Sequence, residues 1–196
     1  YPAQILIYHA GTGRTVFLGC LKLTTIFICG FFSLVVVPKH ILAEKKVPWV
    51  TCTMSRLVAI SGIVPMFFVA YVTGPFVTYI HLRIPAFARN SKEMIIRFSK
   101  SPPKETELDF TTMNFFGKPQ VARVKLNDIY ITRQRLGMVN FLRNTAQINK
   151  NRSWWKGKAI CKFGVHGKET GGFLHGEVWK LIKKSIEKNK STSTFP

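Results

Sequence analysis

The chain is 196 residues long, which leaves room for one membrane hairpin and one soluble domain of about 110 residues and excludes a second soluble core. Its 29 Lys and Arg residues outnumber 9 Asp and Glu residues, and the resulting net charge of +20 indicates an acidic partner, either nucleic acid or anionic lipid. Because 46% of the residues in so basic a chain are hydrophobic, we expect the apolar residues to be concentrated in separate segments.

The amino-terminal segment, residues 1–15, predicts a β-strand. Residues 3–9 read AQILIYH, are rich in β-branched and aromatic residues, and are followed by the turn-forming Gly11-Thr12-Gly13. An isolated strand would leave its backbone groups unpaired, so we expect this strand to join the sheet of the later soluble domain. The soluble domain would then be interrupted by the apolar segments that follow.

The first apolar segment, residues 16–37, predicts a transmembrane helix that ends at Pro38. Its 22 residues include one charged residue, Lys22. About 20 helical residues are enough to cross a hydrocarbon core of roughly 30 Å. Lys22 lies near one end of the segment, so we expect its amine to extend to the near interface; pairing within the hairpin is the alternative.

The second apolar segment, residues 57–82, contains no Asp, Glu, Lys or Arg and predicts a second transmembrane helix. Pro65 and Pro75 are expected to be kinks of a kind that membrane helices tolerate. Small residues such as Gly62 and Gly74 let two helix backbones approach closely, which predicts a hairpin over residues 16–82. The alternative is a pair of buried helices in a globular core, but so small a domain could not cover both on every face.

The charges on either side of these segments predict the orientation of the chain. Residues 38–56 are expected to form a short loop with a net charge of +3. Residues 83–196 contain 23 basic and 8 acidic residues, a net charge of +15. The positive-inside tendency places both termini on the inner side of the membrane, which is the matrix in a mitochondrion.

Residues 83–190 predict a basic soluble α+β domain. Four strand-like segments are separated by turn signals: residues 94–98, 108–114, 120–126 and 159–165. In the third segment, Val121, Arg123 and Lys125 alternate with more apolar residues, so one face of the sheet is expected to be basic. Residues 127–155 show no clear pattern and end in what resembles a polar loop.

The last predicted element is an amphipathic helix over residues 176–188, where apolar residues recur at helical spacing and lysines occupy the remaining surface. Residues 191–196 predict a flexible tail. Together the elements predict an α+β membrane protein, in which a two-helix transmembrane hairpin is inserted in a small mixed β-sheet and helix matrix domain.

Two basic regions are candidates for binding a polyanion. The first, residues 143–162, surrounds Trp154-Trp155, and the second is residues 180–190. Cations beside exposed aromatic rings suit phosphate contacts and base stacking, as in the binding of single-stranded or looped RNA. The alternative is that both Trp residues pack in the core and the lysines form a solvated face that contacts anionic lipid. The candidate RNA- or ribosome-binding residues are Arg143, Lys150, Arg152, Lys156, Lys158, Lys162, Lys180, Lys183, Lys184, Lys188 and Lys190.

The sequence shows no pattern typical of an enzyme, a metal site or a cofactor site. The four cysteines form no CxxC pair, and the five histidines show no HExxH spacing. No GxSxG motif or P-loop occurs, and the acidic residues near position 107 follow a Pro-Pro linker. We therefore expect no enzymatic activity, no metal and no cofactor.

The run IYHAGTGRTVFLGCLKLTT, a span ending at a proline, and a second span containing GIVPMFFVAYVTGPFVTYIHL together resemble the transmembrane protein 70, 186 and 223 group of mitochondrial inner-membrane proteins. The resemblance covers about the first 85 residues. Within the group, the 223-like fungal members look closest, because the resemblance to them implies a membrane receptor for the mitochondrial ribosome and the +15 region suits contact with ribosomal RNA. The positions that fit this layout are Tyr8, Gly11, Arg14, Val16, Phe17, Lys22, Pro38, Gly62, Pro65, Gly74, Tyr79 and His81. The residues expected to shape the membrane hairpin are Lys22, Pro38, Gly62, Pro65, Gly74 and Pro75.

The resemblance implies a multi-pass protein of the mitochondrial inner membrane with both termini in the matrix. It implies an adaptor that binds the large subunit of the mitochondrial ribosome, through its rRNA and proteins, and positions it for co-translational insertion of respiratory-chain subunits. Its expected partners also include the insertase machinery, anionic inner-membrane lipids and nascent or partly assembled membrane subunits. The alternative is an assembly factor that binds membrane subunits of respiratory complex I or ATP synthase through its hairpin.

Overall fold

The computed structural model describes residues 1–39, 48–153, 157–166 and 173–190. The chain forms two compact units. A sheet unit comprises Tyr1–Thr12, Pro75–Met113 and Pro119–Pro196, and a helix unit comprises Gly13–Gly74 and Asn114–Lys118. The fold is mixed α and β with antiparallel sheets, as the sequence predicts at this level.

The helix unit begins with α1, Thr12–Phe31, which starts directly after Gly11 with its positive φ of 96°. The helical conformation continues to Lys39, and the 28-residue helix Thr12–Lys39 is long and apolar enough to cross a membrane. Only 6% of its most apolar window is buried, and the buried residues of α1 are the polar Lys22 and Thr25. The first predicted span, residues 16–37, lies inside this helix.

A π-helical turn, Phe32–Val36, interrupts α1 one turn before Pro38. The Val37 amide donates to the Phe32 carbonyl, which is five residues back instead of four. Pro38 has no amide hydrogen and its ring would crowd the carbonyl four residues before it, so a wider turn accommodates the proline within the helix. The helix therefore passes through Pro38 to Lys39, two residues beyond the predicted span of residues 16–37.

The second helix, α2, is Pro48–Thr73, and it differs at both ends from the predicted span of residues 57–82. Residues 48–56, expected in a loop, belong to the helix, while residues 77–83 form a strand. The apolar part of α2 that the structure describes, Ile60–Thr73, is shorter than a full membrane span. Gly74-Pro75 marks the helix end, since proline cannot continue the hydrogen-bond ladder.

Gly62 is the point of closest approach between α2 and the π-helical turn. A Cβ atom at Gly62 would lie 3.1 Å from the Phe32 Cβ and 3.5 Å from the Cys29 Cα. The absence of a side chain therefore lets the two backbones approach, as the sequence predicts. At Gly19 and Gly30, a Cβ would meet no atom of the described residues within 4 Å.

A four-stranded antiparallel sheet with the order β1-β2-β3-β4 forms the centre of the sheet unit. Its strands are β1 (Gln4–His9), β2 (Val77–Arg83), β3 (Glu107–Met113) and β4 (Pro119–Lys125). The predicted amino-terminal strand is present, and its Ile5 pairs with Leu82 of β2. Residues on either side of the helices therefore complete one sheet.

The second sheet contains β5 (Ile129–Gln134), β6 (Val139–Arg143) and β7 (Lys162–Phe163), in that order. Gly164 joins the two sheets: its amide donates to the Pro75 carbonyl at 2.6 Å, and its carbonyl accepts from the Val77 amide at 3.0 Å. A Cβ at Gly164 would collide with the Met138 carbonyl oxygen, so this position requires glycine.

The helix α3, Lys92–Lys100, replaces the strand predicted at residues 94–98. The Ser91 hydroxyl accepts from the Met94 amide at 3.2 Å and caps the helix. Its buried residues, Ile95, Phe98 and Ser99, follow the spacing of three and four residues that defines a helix face. A short helix, α4, spans Ala146–Lys150 within the segment left unassigned from sequence.

The carboxy-terminal helix α5, Phe173–Lys190, contains the predicted residues 176–188. Its inner face packs into the core that both sheets share, with buried side chains from Val178, Trp179, Ile182 and Ile186. Burying these four large side chains contributes about 1.5–3 kcal/mol each to the transfer free energy. The predicted tail, residues 191–196, lies outside the described residues.

Candidate nucleic-acid interface

The outer face of α5 carries a stripe of lysines. Lys180, Lys183, Lys184 and Lys188 are exposed and lie opposite the buried face of the helix. At 3.6 residues per turn these positions fall on one side, so their amines form a row about two turns long. We call these four residues the lysine stripe. Lys190 belongs to the same helix, but its side chain lies outside what the structure describes.

Two residues of the lysine stripe, Lys183 and Lys184, form no ion pair with any other residue that the structure describes. Within the part of α5 whose side chains the structure describes, the acidic residues are Glu177 and Glu187. Both are exposed. The helix face therefore keeps an excess of positive charge in water. Such a row of mobile ammonium groups suits a series of phosphates.

A cavity of about 320 Å³ lies beside the lysine stripe. Arg133 on β5 and Lys183 on α5 both line it and supply its positive charge, and Glu187 supplies its carboxylate. Thr132 and Asn140 add polar side chains. The remaining lining residues are Tyr8, Ile131, Phe141, Val165 and Trp179.

Hydrogen bonds fix the wall of this cavity. The Tyr8 hydroxyl donates to the His166 carbonyl at 2.7 Å, and the Asn140 amide nitrogen donates to the Val165 carbonyl at 2.8 Å. The Trp179 ring lies 5.9 Å from Tyr8 and 5.8 Å from Phe141, all three nearly fully buried. These rings shape the cavity but are too buried to stack on a base, so a ligand there would be held through its polar groups.

The first predicted basic region is divided between two faces of the second sheet. Lys162 pairs with Leu142 across the strands, and side chains alternate along a strand, so Arg143 points to the opposite face from Lys162. Lys150 at the end of α4 and Lys158 are exposed, whereas Arg152 is half-buried. Arg143 and Lys162 therefore do not share one face of the sheet. Lys156, Trp154 and Trp155 lie outside the described residues.

Arg143 is half-buried on β6. Burial lowers the pKa of its guanidinium, nearby Asp128 acts in the opposite direction, and Arg152 adds to the decrease. Arginine remains charged at neutral pH even so. Its buried Nε has no hydrogen-bond partner among the described residues, which makes Arg143 a poor candidate for an exposed phosphate contact.

The face of β4 that the sequence predicts to be basic is neutralised by carboxylates of β3. Arg123 Nε lies 3.4 Å from Asp109 Oδ1, and Arg83 Nε donates to Asp109 Oδ2 at 3.0 Å. Both arginines also lie within 3.7 Å of Glu107. The alternation of β4 side chains is as predicted, but the expectation of a basic face is wrong. We call Arg83, Glu107, Asp109 and Arg123 the charge ladder.

Lys125, the next outward residue of β4, is also paired. Its Nζ lies 2.6 Å from Glu105 Oε2. This hydrogen bond raises the pKa of the Lys125 amine, and the negative charge of Glu105 adds to the increase. The cations of this sheet face therefore already have partners within the sheet unit.

The hairpin residues predicted from sequence lie in the helix unit, except Pro75, which belongs to the sheet unit. Lys22 is almost fully buried, at 2% exposure, and its Nζ donates to the Asn114 carbonyl at 2.9 Å, an acceptor outside the predicted hairpin. Pro65 lies inside α2, and Pro38 lies inside the continuation of α1. Gly74 follows the end of α2, and Pro75 begins the connection to β2.

Sequence reasoning missed three groups that shape this surface. Arg133 was not singled out, although the segment ITRQRLG has two arginines and lies within a basic stretch. Glu107 and Asp109 were considered only as catalytic acids after a Pro-Pro linker, although alternation along β3 places them on one face. Cross-strand pairing with β2 and β4 follows only from the register of the sheet.

No group of three or more His, Cys, Asp or Glu side chains within the described ranges is placed to hold a metal ion. The lysine stripe and the neighbouring cavity offer cations and hydrogen-bond donors, and Glu187 adds one carboxylate. Their chemistry is that of anion binding.

Comparison with known proteins adds no family assignment. The chain matches no model of a known protein family and no curated protein sequence. The candidate interface is therefore defined by its own geometry: an exposed row of lysines on α5 beside a polar cavity, on a fold whose helix Thr12–Lys39 is long and apolar enough to cross a membrane.

Proposed function

We propose that this chain is an adaptor of the mitochondrial inner membrane that binds the large subunit of the mitochondrial ribosome. The observation that carries the proposal is the lysine stripe: α5 exposes four lysines, whereas the cations of the first sheet are paired with carboxylates. Exposed cations on an ordered helix are what a phosphate backbone requires. The Thr12–Lys39 helix supplies the membrane anchor.

Ribosomal RNA accounts better than lipid for the arrangement on α5. The lysine stripe adjoins a cavity whose lining includes the polar side chains of Arg133, Thr132 and Asn140. A folded RNA offers phosphates and 2′-hydroxyls in three dimensions and can use such a recess, while a lipid surface presents phosphates in one plane. Anionic lipids would still attract the other exposed lysines of this +15 region.

The adaptor would act by placement. A membrane-held ribosome keeps its exit site close to the insertase, which raises the effective concentration of the nascent chain at the place of insertion. This role requires no chemical step from the adaptor. With two helices in the bilayer and both termini in the matrix, the sheet unit would face the ribosome, and nascent membrane subunits would be the cargo.

The test is ribosome association with membranes containing the full-length chain, measured by cosedimentation over a series of salt concentrations. Replacing Lys183→Glu together with Lys184→Glu is expected to lower association at least tenfold, about 1.4 kcal/mol or more, because two phosphate contacts become repulsive. The matched control is Lys100→Glu with Lys104→Glu, which changes the net charge equally on exposed residues outside α5.

Equal losses for both double variants would contradict the proposal, since they would indicate a response to net charge alone. Association that does not change with salt would also contradict it. Crosslinks from α2 to membrane subunits, without ribosomes in the sediment, would support the assembly-factor alternative.

A further inference from the structure

The turn between β3 and β4, residues Asn114–Lys118, belongs to the helix unit and not to the sheet unit that its two strands complete. We call it the FF turn, after its adjacent Phe115 and Phe116. A β-turn that leaves its own sheet to join a set of apolar helices needs a physical reason. The FF turn contacts the helices at Asn114 and Phe115, and it exposes the ring of Phe116.

The FF turn holds its shape through its own hydrogen bonds. The Asn114 amide donates to the Lys118 carbonyl at 2.8 Å, and the Gly117 amide donates to the Asn114 carbonyl at 2.9 Å. The Asn114 side chain also accepts from the Phe115 amide at 2.7 Å. Gly117 has a φ of 81°, a conformation that glycine adopts without strain. The two phenylalanines are therefore presented by a rigid backbone.

Two contacts fix the FF turn on the helices. Lys22 on α1 donates its ammonium hydrogen to the Asn114 carbonyl at 2.9 Å. The Phe115 ring lies 6.3 Å from the ring of Phe67 on α2, in a tilted arrangement. The turn thus satisfies the one cation that lies within the apolar helix Thr12–Lys39 between Arg14 and Lys39. An unpaired ammonium at that depth would be costly in a membrane.

Phe116 is left outward on this assembly. Its side chain is 68% exposed, and its ring packs edge-on against Phe115 with centroids 5.2 Å apart. Phe67, whose ring contacts Phe115, is 60% exposed, and Phe27 on α1 is 76% exposed. These rings belong to one continuous unit whose surface is apolar, and water is an unfavourable environment for all of them.

We propose that the FF turn inserts into the bilayer interface as a membrane contact in addition to the helices, with Phe116 among the lipid chains and Lys118 at the headgroup phosphates. The depth agrees with this placement: Lys22 and Lys39 are about 25 Å apart along the helix axis, close to the roughly 30 Å of a hydrocarbon core. Lys22 therefore lies near one boundary of the core, and the turn bound to it lies at the same level.

This inference rests on the membrane anchoring in the proposed function but not on ribosome binding. The test places a spin label at a single cysteine in the full-length chain, after its four native cysteines are replaced, in vesicles of phosphatidylcholine, phosphatidylethanolamine and cardiolipin. The labelled variants are Phe116→Cys, Phe27→Cys as a site on the helix, and Val121→Cys as an apolar but sheet-borne control that is 62% exposed. Collision with oxygen and with a water-soluble nickel chelate is measured at each site.

The expected result is an oxygen-to-nickel accessibility ratio at position 116 that is several-fold higher than at position 121 and similar to that at position 27. A label at 116 that is as accessible to nickel as the label at 121 would overturn the inference while position 27 still shows a membrane helix. A label at 116 shielded from both reagents would also overturn it, because the ring would then contact protein. An aqueous result at position 27 would remove the membrane anchor and this inference together, whereas loss of ribosome binding alone would leave it intact.

Discussion

The charge ladder and the lysine stripe both contain a row of cations in the sheet unit. They differ in whether carboxylates pair with those cations. On the sheet, Arg83 and Arg123 share Asp109 and Glu107, so their charge is used within the fold. On α5, Lys183 and Lys184 form no ion pair with another described residue and remain available. The difference teaches that net charge alone does not identify the cations that remain available to a partner. Whether each cation is paired with a carboxylate identifies them better.

The largest expected effect comes from breaking the charge ladder at its centre. Asp109→Ala would leave two arginines without their shared partner, and the Asp109 side chain is only 7% exposed. Because both arginines can still reach water, we expect a loss of about 1–3 kcal/mol in the free energy of unfolding, below the cost of breaking a fully buried pair. Thermal unfolding of the protein in detergent measures this.

The matched control for Asp109→Ala is Glu177→Ala, which removes an exposed carboxylate on α5 and should change the free energy of unfolding by less than about 0.5 kcal/mol. Similar losses for the two variants would show that the charge ladder contributes no more to folding than a solvated carboxylate. That result would contradict the claim that the charges of Arg83 and Arg123 are used within the fold.

The next effect concerns how ribosome association depends on salt. Replacing Lys183→Gln and Lys184→Gln should reduce the slope of log affinity against log salt by about 1 for each phosphate that the variant no longer neutralises. Stability should stay within about 0.5 kcal/mol, since both side chains are exposed. An unchanged slope in the double variant would remove these lysines from the interface.

A smaller effect of opposite sign is expected at Glu187, the carboxylate that lines the cavity beside Lys183. Glu187→Gln removes a repulsive charge from the path of a phosphate and should strengthen association a few-fold at low salt. The gain should disappear at high salt because the charges are screened. Weaker association would mean that Glu187 holds a cation of the partner, contrary to the proposal. The same cosedimentation assay detects either outcome.

The smallest effect is expected at the exposed pair of Lys125 and Glu105. The raised pKa of Lys125 means that its contribution to stability is present at neutral pH and is lost only as the pH rises through that raised value. Glu105→Gln should therefore lower the thermal midpoint slightly at pH 7, and the difference from the unmodified chain should vanish in strongly alkaline buffer. A difference that grows with pH would contradict this assignment.

Local patterns predicted the parts of the fold whose partners lie nearby in sequence. The periodicity of α5, the alternation along β4 and the apolar run of α1 were all sufficient. Tyr8 and its neighbours predicted a strand, because a segment so rich in β-branched and aromatic residues suits a sheet better than a helix.

The missed features depended on distant partners or on competing signals. The boundary between α2 and β2 was missed because VTYIHL is uncharged and hydropathy does not distinguish a buried strand from a membrane helix. The segment MIIRF was assigned as a strand because its Ser91 cap was not weighed. Lys22 finds its acceptor 92 residues away, and no local rule could have identified it.

The most direct test of the account uses a photoactivatable crosslinking residue placed at position 184 on α5 or at position 123 on the charge ladder, in mitochondrial membranes carrying the full-length chain. The account predicts crosslinks to RNA of the large ribosomal subunit from position 184 and few from position 123. Equal RNA crosslinking from both positions, or crosslinks from position 184 to lipid alone, would contradict it.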